Sequence, residues 1–347
     1  MNPLRVWFNK SFSSVFNVIR RLQATTVPHP FHVLCSHTNR EFVGFEVAAE
    51  SEVEPAGLSA ADYVKYCLDF CERHAVQVFV PGRSRVELAE ARDQFAARGV
   101  RMLVAAEPAH LHLFEDKGRF YRTLDPAIVA APRFISVRNA TEFADAVALL
   151  RSEGRQVCFK PSQSMGGLGF RILDDTRGDI RNLLGGEAIR LTTALATHIL
   201  AQEPAFRELL VMEYLEGAEY SVDCLSARGR LLCAISRRKA TSLGGTQLLE
   251  DRPDLHAISA RLAETYGLDG IFNVQVRHTG GVPKLLEINA RFSGGIYFAC
   301  LSGVDLPAWA LALAAGTATE ADLPEPQYGL AVHQQYQEFV FTKPPSR

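Results

Sequence analysis

Lys160 closes an apolar run, Val157-Cys158-Phe159-Lys160-Pro161, and is followed at once by Ser162-Gln163-Ser164-Met165-Gly166-Gly167-Leu168-Gly169. Three glycines in four positions let backbone N–H groups approach an anion closely. Ser162 and Ser164 add hydroxyl donors, and an ammonium on the preceding strand can meet a phosphate. No Gly-Lys-Ser/Thr opens a helix here, so this is not a P-loop. For want of a following helix it is not a dinucleotide fingerprint either. It reads as a glycine flap between two antiparallel strands, able to fold over a polyphosphate; a plain glycine hairpin is the alternative.

A second constellation lies further on. Gly270–Arg277 alternates, with Phe272, Val274 and Val276 on one side and Asn273, Gln275 and Arg277 on the other. Thr279-Gly280-Gly281-Val282 turns the chain, and Leu285, Glu287 and Asn289 then alternate against Leu286 and Ile288. A three-residue loop at Gly280–Val282 places Gln275 opposite Glu287. One face then carries Asn273, Gln275, Glu287 and Asn289. A single carboxylate among amide oxygens suits Mg²⁺, which prefers hard oxygen ligands; Mn²⁺ would suit the same donors. Arg291 and Ser293-Gly294-Gly295 follow, and a guanidinium there can stabilise charge developing on a transferring phosphoryl group. A solvated polar sheet face explains the alternation but not the choice of residue types.

Between the two lies Leu209–Glu219, an apolar strand running into the acidic turn Glu213-Tyr214-Leu215-Glu216-Gly217-Ala218-Glu219. The backbone of such a linker can pair with an adenine edge, and a carboxylate can accept from ribose hydroxyls. An ordinary acidic β-turn fits the same residues.

The elements that must position these groups fall into two styles. Up to about Ala106, strands (Leu4–Phe8, His32–Ser36, Val76–Val80, Val100–Ala105) alternate with helices (to about Leu22, Ala60–Arg73, Glu87–Arg98), which implies a parallel sheet with right-handed crossovers. Asn9-Lys10-Ser11 and Gly82-Arg83-Ser84 follow strand C-termini, where functional loops of such sheets gather. Afterwards come helices at Leu111–Leu124 and, capped by Asn139, Glu142–Ser152. Antiparallel pairs follow: Val157–Pro161 with Gly169–Leu173, Tyr220–Leu225 with Leu231–Ser236, and Ile271–Arg277 with Lys284–Asn289. The tail Lys343–Arg347 reads as loose.

Composition narrows the function classes. A chain of 347 residues with 47% hydrophobic and 22% charged residues fits a globular protein of two or three domains. A formal net charge of −2 offers no basic field for nucleic acid. No apolar run approaches the ~20 residues that span a bilayer, and Met1–Leu22 lacks the continuous apolar stretch of a signal peptide. The seven cysteines are scattered without CxxC spacing, which argues for a reducing compartment, and the cytoplasm is the expected location. Cys67 and Cys71, four apart on a helix, read as buried small residues rather than a metal pair.

Taken in order, these segments resemble the ATP-grasp superfamily: Lys117 in a helix, Lys160 before the flap, Met212–Glu219 as hinge, Asn273–Gln275, and Glu287-Ile288-Asn289-Ala290-Arg291. The resemblance covers about Leu111 to Gly316. Phe272-Asn273-Val274-Gln275 and Glu287-x-Asn289-x-Arg291 are most similar to the carbamoyl-phosphate synthetase and biotin carboxylase branch. Arg5–Val15 with Cys35-Ser36-His37-Thr38-Asn39 is similar to a bacterial ATP-grasp group associated with tellurite-resistance (Ter) gene clusters. The implied fold is an α/β N-terminal domain with a parallel, Rossmann-like sheet (1–108), followed by an α+β ATP-grasp domain with antiparallel sheets (109–330). A flap subdomain falls at about 130–212 and a C-terminal subdomain at about 213–330, before an extension at 331–347.

The resemblance implies roles position by position. Lys117, Lys160, Ser164, Gly166 and Gly167 would hold nucleotide phosphates, and Glu213 and Leu215 would meet adenine through backbone. Glu219, or else Glu216, would take the ribose. Gln275, Glu287 and Asn289 would bind Mg²⁺, with Arg291 and Lys160 at the reacting centre. Ser236–Thr246, rich in cations and glycine, would border the triphosphate or second substrate. The implied reaction is an ADP-forming ligation: a small-molecule carboxylate becomes an acyl-phosphate and is passed to an amine or another nucleophile. A kinase acting on a hydroxyl, or an ATP-binding partner without turnover, are the alternatives. A homodimer through the N-terminal domain is common among such relatives. The resemblance is expected to leave out the subdomain that follows the grasp in biotin carboxylase, and the glutaminase partner and second half of carbamoyl-phosphate synthetase.

Overall fold

The computed structural model describes residues 2–164, 166–176, 178–185, 189–240, 245–335 and 340. It divides into two compact units: Met1–His112 with Glu219–Gln275 and Ile288–Arg347, and Leu113–Ala218 with Val276–Glu287.

In the first unit, β1 (Leu4–Asn9), β2 (Phe31–His37), β3 (Glu50–Val53), β4 (Val78–Val80) and β5 (Arg101–Met102) form an all-parallel sheet in the order β3-β2-β1-β4-β5. The alternation within β1 explains its central place. Val6 and Phe8 enter one core and Trp7 another, so the strand is buried on both faces. Trp7 is stacked between Phe70 and Phe79, with ring centroids 4.0 and 4.2 Å away. Phe70 comes from the helix Ala60–Arg73, whose Ser59 cap accepts from the Asp62 amide. Cys67 and Cys71 on that helix are buried in the same core, where burial pushes both thiols up, Cys71 to about 12.

On the other face, Val6, Phe8, Val33 and Val80 pack with Val18 and Ile19 of the helix Val15–Ala24 and with Leu306 and Leu311 of the helix Leu306–Ala315. Leu225, Ile235, Leu249 and Ile271 of a second sheet join that core.

The second unit is built on β6 (Phe134–Val137), β7 (Val157–Pro161), β8 (Arg171–Leu173), β9 (Arg190–Leu191) and β10 (Leu209–Glu213), in the order β6-β10-β7-β8-β9. All neighbours are antiparallel except β8 and β9. Phe143, Val147 and Leu150 of the helix Ala140–Ser152 cover Val157, Phe159 and Val211. Asn139 caps this helix by accepting from the Glu142 amide, as the sequence predicts.

The remaining strands are β11 (Glu219–Ala227), β12 (Arg230–Arg238), β13 (Gln247–Glu250), β14 (Gly270–Thr279), β15 (Val282–Asn289) and β16 (Leu330–Val332). Their order is β15-β14-β11-β12-β13-β16. The division between the units passes through the β14–β15 hairpin.

Several expected elements differ. Leu111–Leu124 is not one helix: Asp116 is extended and its carboxylate accepts from the Arg119 amide, so Pro108–Glu115 ends and a new helix, Lys117–Thr123, starts. Glu87–Arg98 is likewise two short helices, Arg85–Glu90 and Arg92–Ala96, and the strand expected at Val100–Ala105 is only Arg101–Met102. The β14–β15 turn is Gly280-Gly281 alone, two residues rather than three. Both have positive φ (54° and 81°), the requirement of a type I′ turn. Leu285 and Ile288 of β15 are both buried; three residues apart, they fall on opposite faces of a regular strand, so β15 buries a residue on each face. The tail Lys343–Arg347 lies outside the described residues. No described helix is long and apolar enough to cross a membrane.

Candidate active site

In the second unit the glycine flap and the start of the helix Lys117–Thr123 are tied together. The Lys117 amide donates to Ser162 O at 3.1 Å, and the Gly118 amide donates to Ser162 Oγ at 3.0 Å. Ser162 Oγ in turn donates to Asp116 Oδ1 at 2.7 Å. A Cβ on Gly118 would come within 2.9 Å of Ser162 Oγ, so glycine permits the approach. Lys117 is 6% exposed; its Nζ donates to Ser164 O at 2.7 Å and lies 3.4 Å from Glu287 Oε2. Lys160 Nζ donates to Tyr121 Oη at 3.2 Å and lies 5.5 Å from that ring's centroid. Tyr121 Oη donates to Leu286 O, and burial followed by the Glu287 charge pushes the phenol up, keeping it a neutral donor. Thus Lys117, Lys160, Glu287 and the stem of the flap converge within one unit.

The flap itself runs through Gly166 and Gly167 at φ 60° and 75°. At Gly169 (φ 81°) a Cβ would fall 2.7 Å from Pro161 Cδ. Met165 lies outside the described residues.

The hinge belongs to the same unit. Glu213 is 5% exposed, and its carboxylate accepts from Lys284, from Arg155 and from the Arg133 amide. Burial alone would raise this carboxyl, but Lys284, the Arg133 amide and Arg155 outweigh it and hold it below the usual range. Its side chain is therefore committed to the fold. The Leu215 amide and carbonyl take no backbone hydrogen bond among the described residues, whereas the neighbouring Tyr214 amide donates to Gln156 O. Glu216 is exposed.

In the first unit Lys239 Nζ donates to both Glu219 Oε1 and Gln275 Oε1, the latter at 3.1 Å. One ammonium thus links the carboxylate expected at the ribose to an amide expected at the metal. Asn289 Oδ1 accepts from Arg291 Nη2 at 2.8 Å, while Arg291 Nη1 donates to Phe292 O at 3.0 Å and the guanidinium lies 5.3 Å from the Phe12 ring centroid. Beside Arg291 opens a cleft of about 600 Å³ including its mouth, reached by Ser11 and Gly82 from the loops after β1 and β4.

Each oxygen donor expected at the metal therefore faces a cation of its own unit: Glu287 faces Lys117, Gln275 faces Lys239, and Asn289 faces Arg291. One carboxylate and two amides are hard oxygen donors, the ligand type that Mg²⁺ prefers. Among the described residues there is no cluster of three His, Cys, Asp or Glu side chains placed to hold a metal ion.

Residues 205–338 match the family described as ATP-grasp in the biosynthetic pathway with Ter operon. Biotin carboxylase from Campylobacter jejuni, solved as a beta-gamma-ATP complex, aligns with a TM-score of 0.63 at 14% identity, covering 92% of this chain and 73% of that one. The chain has the ATP-grasp fold. Among ATP-grasp relatives, carnosine synthase 1 of Homo sapiens is 37% identical over 124 residues, covering 31% of this chain and 15% of that protein. The carbamoyl phosphate synthase large chain of Streptomyces coelicolor is 28% identical over 217 residues, covering 56% and 17%.

Within this fold, several residues had no distinct sequence signal. Asn273 is fully buried and is not on a solvated metal face; its amide donates to Ser221 Oγ, Val222 O and Asp223 Oδ1. Arg237 belongs to β12 and is 2% exposed, paired with Asp223 at 2.7 Å and donating to Ser221, Ser293 and Gln247. Of the expected Ser236–Thr246 loop, residues 241–244 lie outside the described residues. Tyr121 and Lys284 lie outside every expected motif, whereas Lys239 falls within the cation-rich Ser236–Thr246 stretch. Lys239 follows β12, which returns alongside the strand beginning at Glu219.

Proposed function

We propose that this chain is a Mg²⁺-dependent, ADP-forming ligase that activates a small-molecule carboxylate as an acyl-phosphate and transfers the acyl group to an amine. The observation that carries this is the Asn289–Arg291 contact beside the cleft, which sets a guanidinium next to an oxygen donor suited to a metal–phosphate. Relatives named carnosine synthase and carbamoyl phosphate synthase support the reading. We read the parallel sheet, with its order β3-β2-β1-β4-β5, as Rossmann-like.

Lys117 and Lys160 neutralise nucleotide phosphates, Tyr121 orients the Lys160 ammonium, and Ser164, Gly166 and Gly167 close the flap over them. The Glu213–Leu215 backbone meets the adenine edge, and Glu219 or Glu216 takes the ribose. Gln275, Glu287 and Asn289 would hold Mg²⁺, which supplies charge neutralisation on the phosphates. Arg291 binds the substrate carboxylate. A carboxylate oxygen forms a bond to the γ-phosphorus as the bond to ADP breaks, and Arg291 stabilises the charge on the acyl-phosphate. The amine nitrogen then attacks the acyl carbon, inorganic phosphate leaves, and the nitrogen loses a proton.

ADP release measured over a grid of acids and amines tests this. Release that requires both an acid and an amine is expected. Release into solution indifferent to the amine contradicts ligation, and a stable phosphorylated product would identify a kinase.

A further inference from the structure

We infer that the cleft beside Arg291 selects a monocarboxylic acid with a compact, uncharged apolar body, aliphatic or monoaromatic. This rests on the acyl-phosphate reading above.

The first observation is the lining. Phe8, Val15, Val18, Val80, Ile271 and Ile296 form the walls, and Arg291 is the one charged residue among the described residues that line the cleft. Serine hydroxyls and Gly82 supply the rest of its polarity. A body carrying an ammonium or a second carboxylate would lose its water there with no counter-charge to replace it, a cost of several kcal/mol for an unpaired ion. An apolar body gains from the same burial.

The second observation is where the nearby charges are spent. Glu54, 2% exposed behind the loop after β1, accepts from Ser36 Oγ, Tyr63 Oη and the Lys10 amide. Arg237, which donates to Ser293 Oγ, is neutralised by Asp223. Neither is available to a polar substrate group.

The third observation is that the walls are fixed. Asn9 Oδ1 accepts from the Gly82 amide at 2.6 Å, and Asn9 Nδ2 donates to Tyr63 Oη at 2.8 Å. A Cβ on Gly82 would lie 2.5 Å from Asn9 O and 2.8 Å from Lys10 O. The loops after β1 and β4 are thereby locked together, so the apolar shape is held before substrate arrives.

The test uses hydroxylamine to trap acyl-phosphate as hydroxamate, which removes any need for the native amine. The full chain with ATP and Mg²⁺ is offered isovalerate, benzoate and phenylacetate against β-alanine, glutamate and succinate. The apolar acids are expected to be trapped with kcat/KM at least about tenfold higher. Ser14 lines the cleft just before the helix Val15–Ala24 and makes no capping hydrogen bond. A carboxylate there complements the positive end of the helix, so Ser14→Asp should fold, shown by its melting transition. It should lower use of the apolar acids and raise the relative use of β-alanine. Equal or better trapping of the ammonium-bearing or dicarboxylic acids overturns the inference while keeping the acyl-phosphate. No hydroxamate from any acid, with thermal protection by the apolar acids alone, keeps the cleft's preference and overturns the acyl-phosphate. Neither trapping nor protection by the apolar acids overturns the inference.

Discussion

Asn289 Oδ1 accepts a hydrogen bond from Arg291 Nη2 at 2.8 Å. An oxygen suited to Mg²⁺ and a guanidinium suited to an acyl-phosphate thus sit two residues apart where the chain leaves β15 and turns, the Arg291 amide donating to Asn289 O at 2.8 Å. Arg291→Ala removes the group that stabilises developing charge, and kcat should fall roughly 10²–10³-fold. Thermal protection by ATP and Mg²⁺ should persist, because Lys117, Lys160 and the flap are untouched. Arg291→Lys should recover little, since an ammonium lacks the planar fork that reaches both Asn289 Oδ1 and Phe292 O.

Glu287 has two duties, one as the carboxylate of the proposed metal set and one as the partner of buried Lys117. Glu287→Ala should abolish ADP release at every Mg²⁺ or Mn²⁺ concentration. An ADP-release titration against either metal checks this; activity restored by excess metal would count against the assignment.

Tyr121 Oη joins Lys160 to the Leu286 carbonyl. Tyr121→Phe leaves that carbonyl without this donor and removes the hydroxyl that Lys160 meets. Denaturant unfolding should show a loss of about 1 kcal/mol. The KM for ATP should rise with little change in the requirement for acid and amine.

Glu213 carries a pH prediction. Its carboxyl is held below the usual range in the folded state, despite burial, by Lys284, the Arg133 amide and Arg155. A lowered folded value means the stabilisation is present above the unfolded value of about 4.3 and is lost as pH falls through the folded value. Glu213→Gln should cost about 2 kcal/mol at neutral pH. The gap between wild type and variant should close on acidification below the unfolded value. A gap that stays constant through that range, measured by urea unfolding, would refute the assignment.

Gly82 tests the locked loops. Gly82→Ala pushes a methyl against Asn9 O and Lys10 O, both backbone atoms that cannot swing aside. A destabilisation of roughly 1–3 kcal/mol is expected, together with weaker binding of the acid and unchanged thermal protection by ATP.

The sequence made the parallel sheet and the β7–β8 hairpin legible because their apolar periods are uninterrupted. Val6, Trp7 and Phe8 fill both faces of β1, and the three glycines fall where the flap needs positive φ. The site was less legible where one residue decides a break. Asp116 splits a helix that apolar spacing alone runs together, and its capping bond to Arg119 is visible only in the fold. Asn273 and Gln275 alternate identically in sequence. Only pairing with Ser221 and Asp223 distinguishes the buried amide from the one that meets Lys239. Arg237 reads as a loop cation until Asp223, fourteen residues earlier, is placed beside it on the neighbouring strand. Such roles depend on cross-strand register, which local composition does not encode.

The acyl-phosphate is tested most directly by oxygen transfer. A turnover with ATP, Mg²⁺, hydroxylamine and a panel of ¹⁸O-labelled carboxylic acids is followed by mass analysis of the inorganic phosphate. The account predicts one ¹⁸O atom from the carboxylate in each phosphate released. ADP formation with unlabelled phosphate would contradict it.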